Sequence, residues 1–220
     1  FDEVYHAVTA KLVAQNDPRA FEWWHSAPEP KTAIDWLHPP LAKYTQALSI
    51  KVFGANSFGW RFSSALFGVG VIYLVYHLSL SWFNDDQDLA LLAAFLASLD
   101  GLLLVQSRIA MNDIHLTFFF FLTLWLFKVW QKQKSCWRLG LVGLSAGLSL
   151  GTKWSGLFVL AAVWLLLIWD WLSSLMAINF KLKTSLKSNL KSGLGQFLWA
   201  IFALILIPAL VYLASYGQMF

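Results

Sequence analysis

Cysteine is almost missing: Cys136 is the only one in 220 residues. No disulfide can close within the chain, and one thiol says nothing of the redox compartment. Charge is also scarce, at 13% of residues, where a soluble domain carries about 25%. A chain so poor in charge and 58% hydrophobic has lipid as its main solvent. The net charge of +4 is modest. No basic stripe interleaves with aromatics, so a nucleic-acid-binding face is not indicated. The sequence holds no HExxH, CxxC or GxxxxGK[ST] pattern, so the chemistries carried by those spacings find no support. No repeat is evident, and the inverted-repeat signature of many transporters is missing with it. There is no initiator Met and no signal peptide; the chain runs from Phe1-Asp2-Glu3 to Phe220. Both ends read as cut, and the expectation is a piece of a longer protein.

What is abundant is tryptophan, with 13 residues. Trp prefers the headgroup interface, where its ring is half apolar and half wet. Residues 1–56 form the one long segment without a spanning stretch. Val4, Ala7, Val8 and Leu12 recur at helical spacing between Asp2 and about Gln15. Pro18, Pro28, Pro30, Pro39 and Pro40 then break the segment into loops. Leu41 to Phe53 again reads as a helix, with mixed faces suited to the membrane surface.

Apolar runs of spanning length follow, since about 20 helical residues cross ~30 Å of hydrocarbon. They predict spans at 60–83, 89–109, 114–131, 138–153, 155–172 and 194–216. The expected fold class is therefore all-α, a polytopic transmembrane helical bundle of about six spans. Residues 1–56 are expected to form an external catalytic loop with surface helices, and residues 57–220 the bundle. Lys128, Lys132, Lys134 and Arg138 in one connection, and Lys181, Lys183, Lys187 and Lys191 in another, place both loops in the cytoplasm. Six crossings then put residues 1–56 and the C-terminus outside. Asp2, Glu3, Arg61, Arg108, Asp113 and Lys153 all fall near that outer face.

These residues are the candidate site. Asp2 and Glu3 are adjacent carboxylates, and a carboxylate near an apolar surface can act as a general base toward a hydroxyl. The plainer alternative is a solvated acidic pair. His38-Pro39-Pro40-Leu41-Ala42-Lys43 reads as a rigid loop, because the two prolines fix the backbone and keep His38 out of the α region. His38 could donate to a phosphate or carboxylate, and Lys43 could attract an anion; the alternative is a loop stop before a surface helix. Arg61 and Arg108 suit phosphate oxygens, because a guanidinium donates two parallel hydrogen bonds. A structural ion pair, such as Arg108 with Asp113 or Asp2, competes with that reading. Lys153 interrupts an apolar tract and needs an anionic partner or a wet cavity. Asp100-Gly101 within the second span has no assigned purpose. His6, His25, His77 and His115 are scattered without metal-ligand spacing, and His77 reads as a packed mid-span histidine. No metal site is expected.

The order of these pieces resembles the protein O-mannosyltransferase family, the dolichyl- or polyprenyl-phosphate-mannose–protein mannosyltransferases of the GT-C fold. The elements that carry it are Phe1-Asp2-Glu3, His38-Pro39-Pro40-Leu41-Ala42-Lys43, Arg61 with Ser64-Ala65-Leu66-Phe67-Gly68, Ser107-Arg108-Ile109-Ala110-Met111-Asn112-Asp113, and Gly151-Thr152-Lys153-Trp154-Ser155-Gly156. The resemblance implies transfer of mannose from a polyprenyl phosphate to Ser or Thr of a protein, on the outer or luminal face. It implies Asp2 as catalytic base, Glu3 as its partner, and Arg61, Arg108, Lys153, His38 and Asp113 around the lipid phosphate and sugar. The donor lipid is a substrate, and no cofactor is implied. The membrane would be the plasma membrane, or the endoplasmic reticulum in a eukaryote, and a homo- or heterodimer is compatible with it. The Asp35-Trp36-Leu37-His38 order departs from the commoner Asp-x-His-Pro-Pro spacing, so Asp35 receives no role. The family's first span, its later spans and its second large external loop are not in the chain.

Other readings stay open on sequence. Another GT-C enzyme would move a different sugar or use a different acceptor. A transporter or channel would line a path with intramembrane charges, whereas these cluster at one face. A non-catalytic membrane scaffold is the third.

Overall fold

The computed structural model describes residues 2–22, 24–180 and 198–218, with side chains of the helix ending at residue 180 described to residue 173. The basic connection at Lys181, Lys183, Lys187 and Lys191 lies outside them. All regular structure among the described residues is helical. Two helices precede the bundle, α1 (Glu3–Ala14) and α2 (Leu41–Phe53). The bundle comprises α3 (Ser57–Trp82), α4 (Gln87–Ser98), α5 (Gly101–Arg108), α6 (Asp113–Lys132), α7 (Cys136–Thr152), α8 (Leu157–Phe180) and α9 (Leu198–Ser215).

Several starts are set by short polar caps. The Asn56 side chain accepts from the amides of Phe58 and Gly59 at the head of α3. Asp86 does the same for Asp88 and Leu89 at the head of α4. Such caps satisfy amides that have no partner within the helix. Gly54 ends α2 at φ +89°, a conformation that costs little without a Cβ.

Four helices are long and apolar enough to cross a membrane, or five if α4 and α5 form one bent span. The expectation of six is therefore slightly high. α7, at 17 residues, is the expected span that is not among them. The expected span at 89–109 is not one rod. α4 and α5 meet at 61°, and Asp100 caps the second piece by accepting the Leu103 amide at 2.7 Å. That gives the unexplained Asp100 a structural partner, the start of α5.

Small residues hold the bundle together. A Cβ at Gly143 would collide with the Ala203 carbonyl, and one at Gly147 would crowd Pro208 and Val211. α7 thus lies backbone-close to α9, as small residues permit in a lipid-solvated bundle. Gly143-Leu144-Ser145-Ala146-Gly147 and Gly147-Leu148-Ser149-Leu150-Gly151 both match G-x-S-x-G by spacing. They sit inside a continuous helix rather than on a strand-to-helix turn, and Ser145 accepts from Thr123 of α6 at 3.0 Å. They are packing surfaces. The apolar core joins Phe127, Leu139, Val142, Val163, Ala203 and Leu204. His77 packs among the rings of Tyr73, Tyr76 and Trp125, as its mid-span position suggests.

A second, smaller core builds the cap above the bundle. Val8, Leu12 and Val13 of α1 meet Ala20 and Ile34 of the intervening segment and Ala47 of α2. α2 buries Ala42, Lys43, Gln46 and Ile50 and exposes Leu48 and Val52. Tyr44 ties this cap to the bundle by donating to the Ser215 carbonyl at 2.7 Å.

Candidate functional site

The helix order brings the heads of α3 and α6 and the tails of α5, α7 and α9 to one end, beneath α1 and α2. Asp2, Glu3, His38, Arg61, Arg108, Asp113 and Lys153 all lie at that end. The opposite end carries different contacts, such as Lys132 with Asp85 at 3.8 Å and Trp199 with the Cys136 carbonyl.

Glu3 is held from two sides. Arg61 Nε donates to Oε1 at 2.6 Å and Nη2 to Oε2 at 2.8 Å. The Ala110 amide, in the turn between α5 and α6, donates to Oε1 at 3.1 Å. The Arg61 hydrogen bond is the main reason the Glu3 carboxyl sits below its ordinary pKa of 4.5, with the Ala110 amide adding to it against a partial burial that pushes up. Asp2, its neighbour, is exposed, and its carboxylate meets no partner among the described residues. The two acids therefore differ: one is bound, the other open.

Arg61 and Arg108 share a cleft of about 240 Å³ with Val105 and Ile109. Arg108 forms no ion pair among the described residues. Two guanidinium groups on an apolar floor can hold a phosphate. Lys153 does not line that cleft. Its Nζ donates to Asp113 Oδ1 at 2.6 Å, each side chain being about a third exposed. The anionic partner that Lys153 requires is thus Asp113, and the pair joins the tail of α7 to the head of α6. Trp154 beside it is exposed and packs edge-on against Tyr212.

The residue that sequence reasoning passed over is Asp35. It is 8% exposed. His38 Nδ1 reaches its two oxygens at 3.0 and 3.1 Å, Lys43 Nζ lies at 2.9 Å, and His6 Nδ1 at 3.1 Å. The Leu37 amide donates to it as well. Burial pushes the Asp35 carboxyl up, but His38, His6 and Lys43 together outweigh burial and hold it far below the usual range. Lys43 is buried too, and donates to the carbonyls of Asp35 at 2.8 Å and His38 at 3.2 Å. The desolvation lowers its pKa, with Asp35 opposing. Lys43 is consequently not free to attract an outside anion. The signal for Asp35 was its place three residues before His38; the unusual spacing hid it.

Histidines scattered in sequence also converge here. His6, Asp35 and His38 place one ligand atom each within 4.8 Å of one another, a spacing that could hold a cation. The Lys43 ammonium already stands at the carboxylate, so a metal would add charge beside a charge. The residues do not fit a metal well.

An all-helical membrane protein with an open carboxylate, a clamped one and a two-arginine cleft at one end is the class that the fold and site define. The family model described as dolichyl-phosphate-mannose-protein mannosyltransferase matches residues 36–218, and the chain belongs to that family. It is 30% identical over 210 residues to the polyprenol-phosphate-mannose–protein mannosyltransferase of Corynebacterium glutamicum, covering 84% of this chain and 39% of the relative. The Mycobacterium tuberculosis protein of the same description is 31% identical over 212 residues, covering 84% of this chain and 38% of the relative. Dolichyl-phosphate-mannose–protein mannosyltransferase 6 of Candida albicans is 27% identical over 213 residues, covering 82% of this chain and 25% of that protein. The chain thus spans about two fifths of the bacterial relatives. No solved structure matches it. The family match includes His38, Arg61, Arg108, Asp113 and Lys153 and begins after Asp2 and Glu3.

Proposed function

We propose that the chain carries the reaction centre of a membrane transferase that moves mannose from a polyprenyl-phosphate carrier to a Ser or Thr hydroxyl of a protein. The observation that carries this is the open Asp2 carboxylate, next in sequence to the Glu3–Arg61 clamp whose arginine also lines the Arg108 cleft. Family membership supplies the donor class.

In this scheme the acceptor oxygen attacks the anomeric carbon. The bond from that carbon to the phosphate oxygen breaks, and its electron pair leaves with the phosphate. The hydroxyl proton passes to Asp2. The leaving group is already an anion and needs no strong acid; Arg61 and Arg108 stabilise its charge as it grows. One displacement inverts the anomeric centre, unlike the double displacement of a retaining glycosidase. Lys153 uses one N–H on Asp113, which leaves others to meet the sugar beside the cleft. Asp113 orients it, and His38 completes the polar rim. Residues 1–56 form the catalytic segment on the external or luminal side, over the bundle of residues 57–220.

The test is transfer from polyprenyl-phosphate-mannose to a Ser/Thr peptide by the full-length parent. Mannosylated peptide with inverted anomeric configuration is expected. Transfer only from another sugar phosphate, or retained configuration, would overturn the proposal. Cysteines placed in residues 1–56 should react with an impermeant label from outside; a cytoplasmic location contradicts the site's face.

A further inference from the structure

We propose that Asp35 is a positioning residue: by holding His6 and Thr9 against the loop before α2, it fixes where α1 presents Asp2. This rests on the reading of Asp2 as the base.

Asp2 has no side-chain partner among the described residues, so its direction is set by the helix that follows it. Its own carbonyl accepts from the amides of Tyr5 at 3.0 Å and His6 at 3.3 Å, which makes it part of the first turn of α1. That helix is pinned at two places. Glu3 pins its first residue to α3 and to the Ala110 turn. Asp35 pins the next two turns. Its carboxylate lies 3.1 Å from His6 Nδ1, a close contact without hydrogen-bond geometry, and its backbone amide, which any residue at this position keeps, donates to Thr9 Oγ1 at 2.9 Å. Thr9 passes that contact on by donating to the Tyr5 carbonyl at 2.7 Å. A helix pinned at one point can swing and roll about it. One pinned at both Glu3 and the His6–Thr9 face cannot.

Asp35 cannot reach a substrate itself. It is 8% exposed, and His38, Lys43 and the Leu37 amide occupy its oxygens, with the His6 ring packed 3.1 Å away. Lys43 supplies the charge that lets the carboxylate remain ionised there. The loop that bears Asp35 is stiffened in turn by Pro39 and Pro40 and by Lys43 bonding two of its carbonyls. Asp35 therefore acts through α1. Its effect should be large, because a misplacement of ~1 Å can cost about a hundredfold in rate.

The test uses the full-length parent with Asp35→Asn and the milder Thr9→Val, each read by kcat, by KM for polyprenyl-phosphate-mannose, and by amide exchange. Asp35→Asn should lower kcat at least tenfold with KM within twofold, and Thr9→Val should follow the same pattern more weakly. Exchange protection should fall over residues 5–9 and hold in α6 and α7. Asp35→Asn combined with Glu3→Gln should be non-additive, since both pins act on one helix. Unchanged kcat in a folded Asp35→Asn protein, a rise in KM alone, or equal loss of protection throughout the bundle would each overturn the proposal. If the parent transfers no mannose from this donor, the functional reading fails, while the exchange measurement still decides whether Asp35 holds α1.

Discussion

Glu3 and Arg61 are joined by two parallel hydrogen bonds of 2.6 and 2.8 Å across 58 positions of sequence. This pair sets the difference between two adjacent acids: Glu3 is clamped, and Asp2 is left open. Removing either partner frees the other. Glu3→Gln and Arg61→Gln should therefore each destabilise the first turn of α1 and lower transfer. A double-mutant cycle in thermal stability should give a coupling of about 0.5–1 kcal/mol, below the ~1.5–3 kcal/mol of a hydrogen bond to a charged group, because the Arg61 side chain is 44% exposed. Additive losses would contradict the clamp.

The same pair has a pH signature. Glu3 has its folded-state pKa lowered below 4.5, first by Arg61. Its contribution to stability is therefore complete above about pH 4.5 and is lost as pH falls through the lower, folded value. The stability gap between wild type and Glu3→Gln in detergent should be flat from pH 8 to about pH 5 and close below that. A gap that closes on going from pH 6 to pH 8 would point to another group.

Arg108 has no ion-pair partner among the described residues and faces the cleft. Arg108→Gln should weaken donor binding by roughly tenfold, the equivalent of about 1.4 kcal/mol, without loss of folded protein. Arg61→Gln should cost more, because it also releases Glu3. Titration of polyprenyl phosphate into each variant checks the order.

Gly143 lets α7 lie against the α9 backbone at Ala203. Gly143→Val should force the two helices apart at a cost of about 1–3 kcal/mol or more, read as a lower melting temperature. Gly101, with open space around the site of its absent Cβ, should accept Ala with little change. Equal effects at both positions would contradict the packing.

How much of this was legible in sequence differs by element. The helices α3 and α6 and the two helices of the cap follow from periodicity and from prolines. The arginine pair and Lys153 stand out because charge in an apolar tract is costly. The bend at Asp100 was hidden because average hydropathy registers a lone acid as a small dip, whereas its effect is a helix cap. Pro208 in α9 is preceded by a π-turn at Phe202–Leu206, which accommodates the missing amide; hydropathy alone showed only a continuous span. Asp35 was missed for a different reason. Its importance lies in Lys43, His6 and His38 meeting it in space, and only His38 and Lys43 are near it in the chain.

The most direct measurement is single-turnover mannose transfer by Asp2→Asn in the full-length parent, with donor saturating and donor affinity determined separately. The expected result is a rate at least about a hundredfold lower with donor affinity within about twofold of wild type. A rate within a few-fold of wild type at unchanged donor affinity would show that the open carboxylate beside the Glu3–Arg61 clamp is not the base.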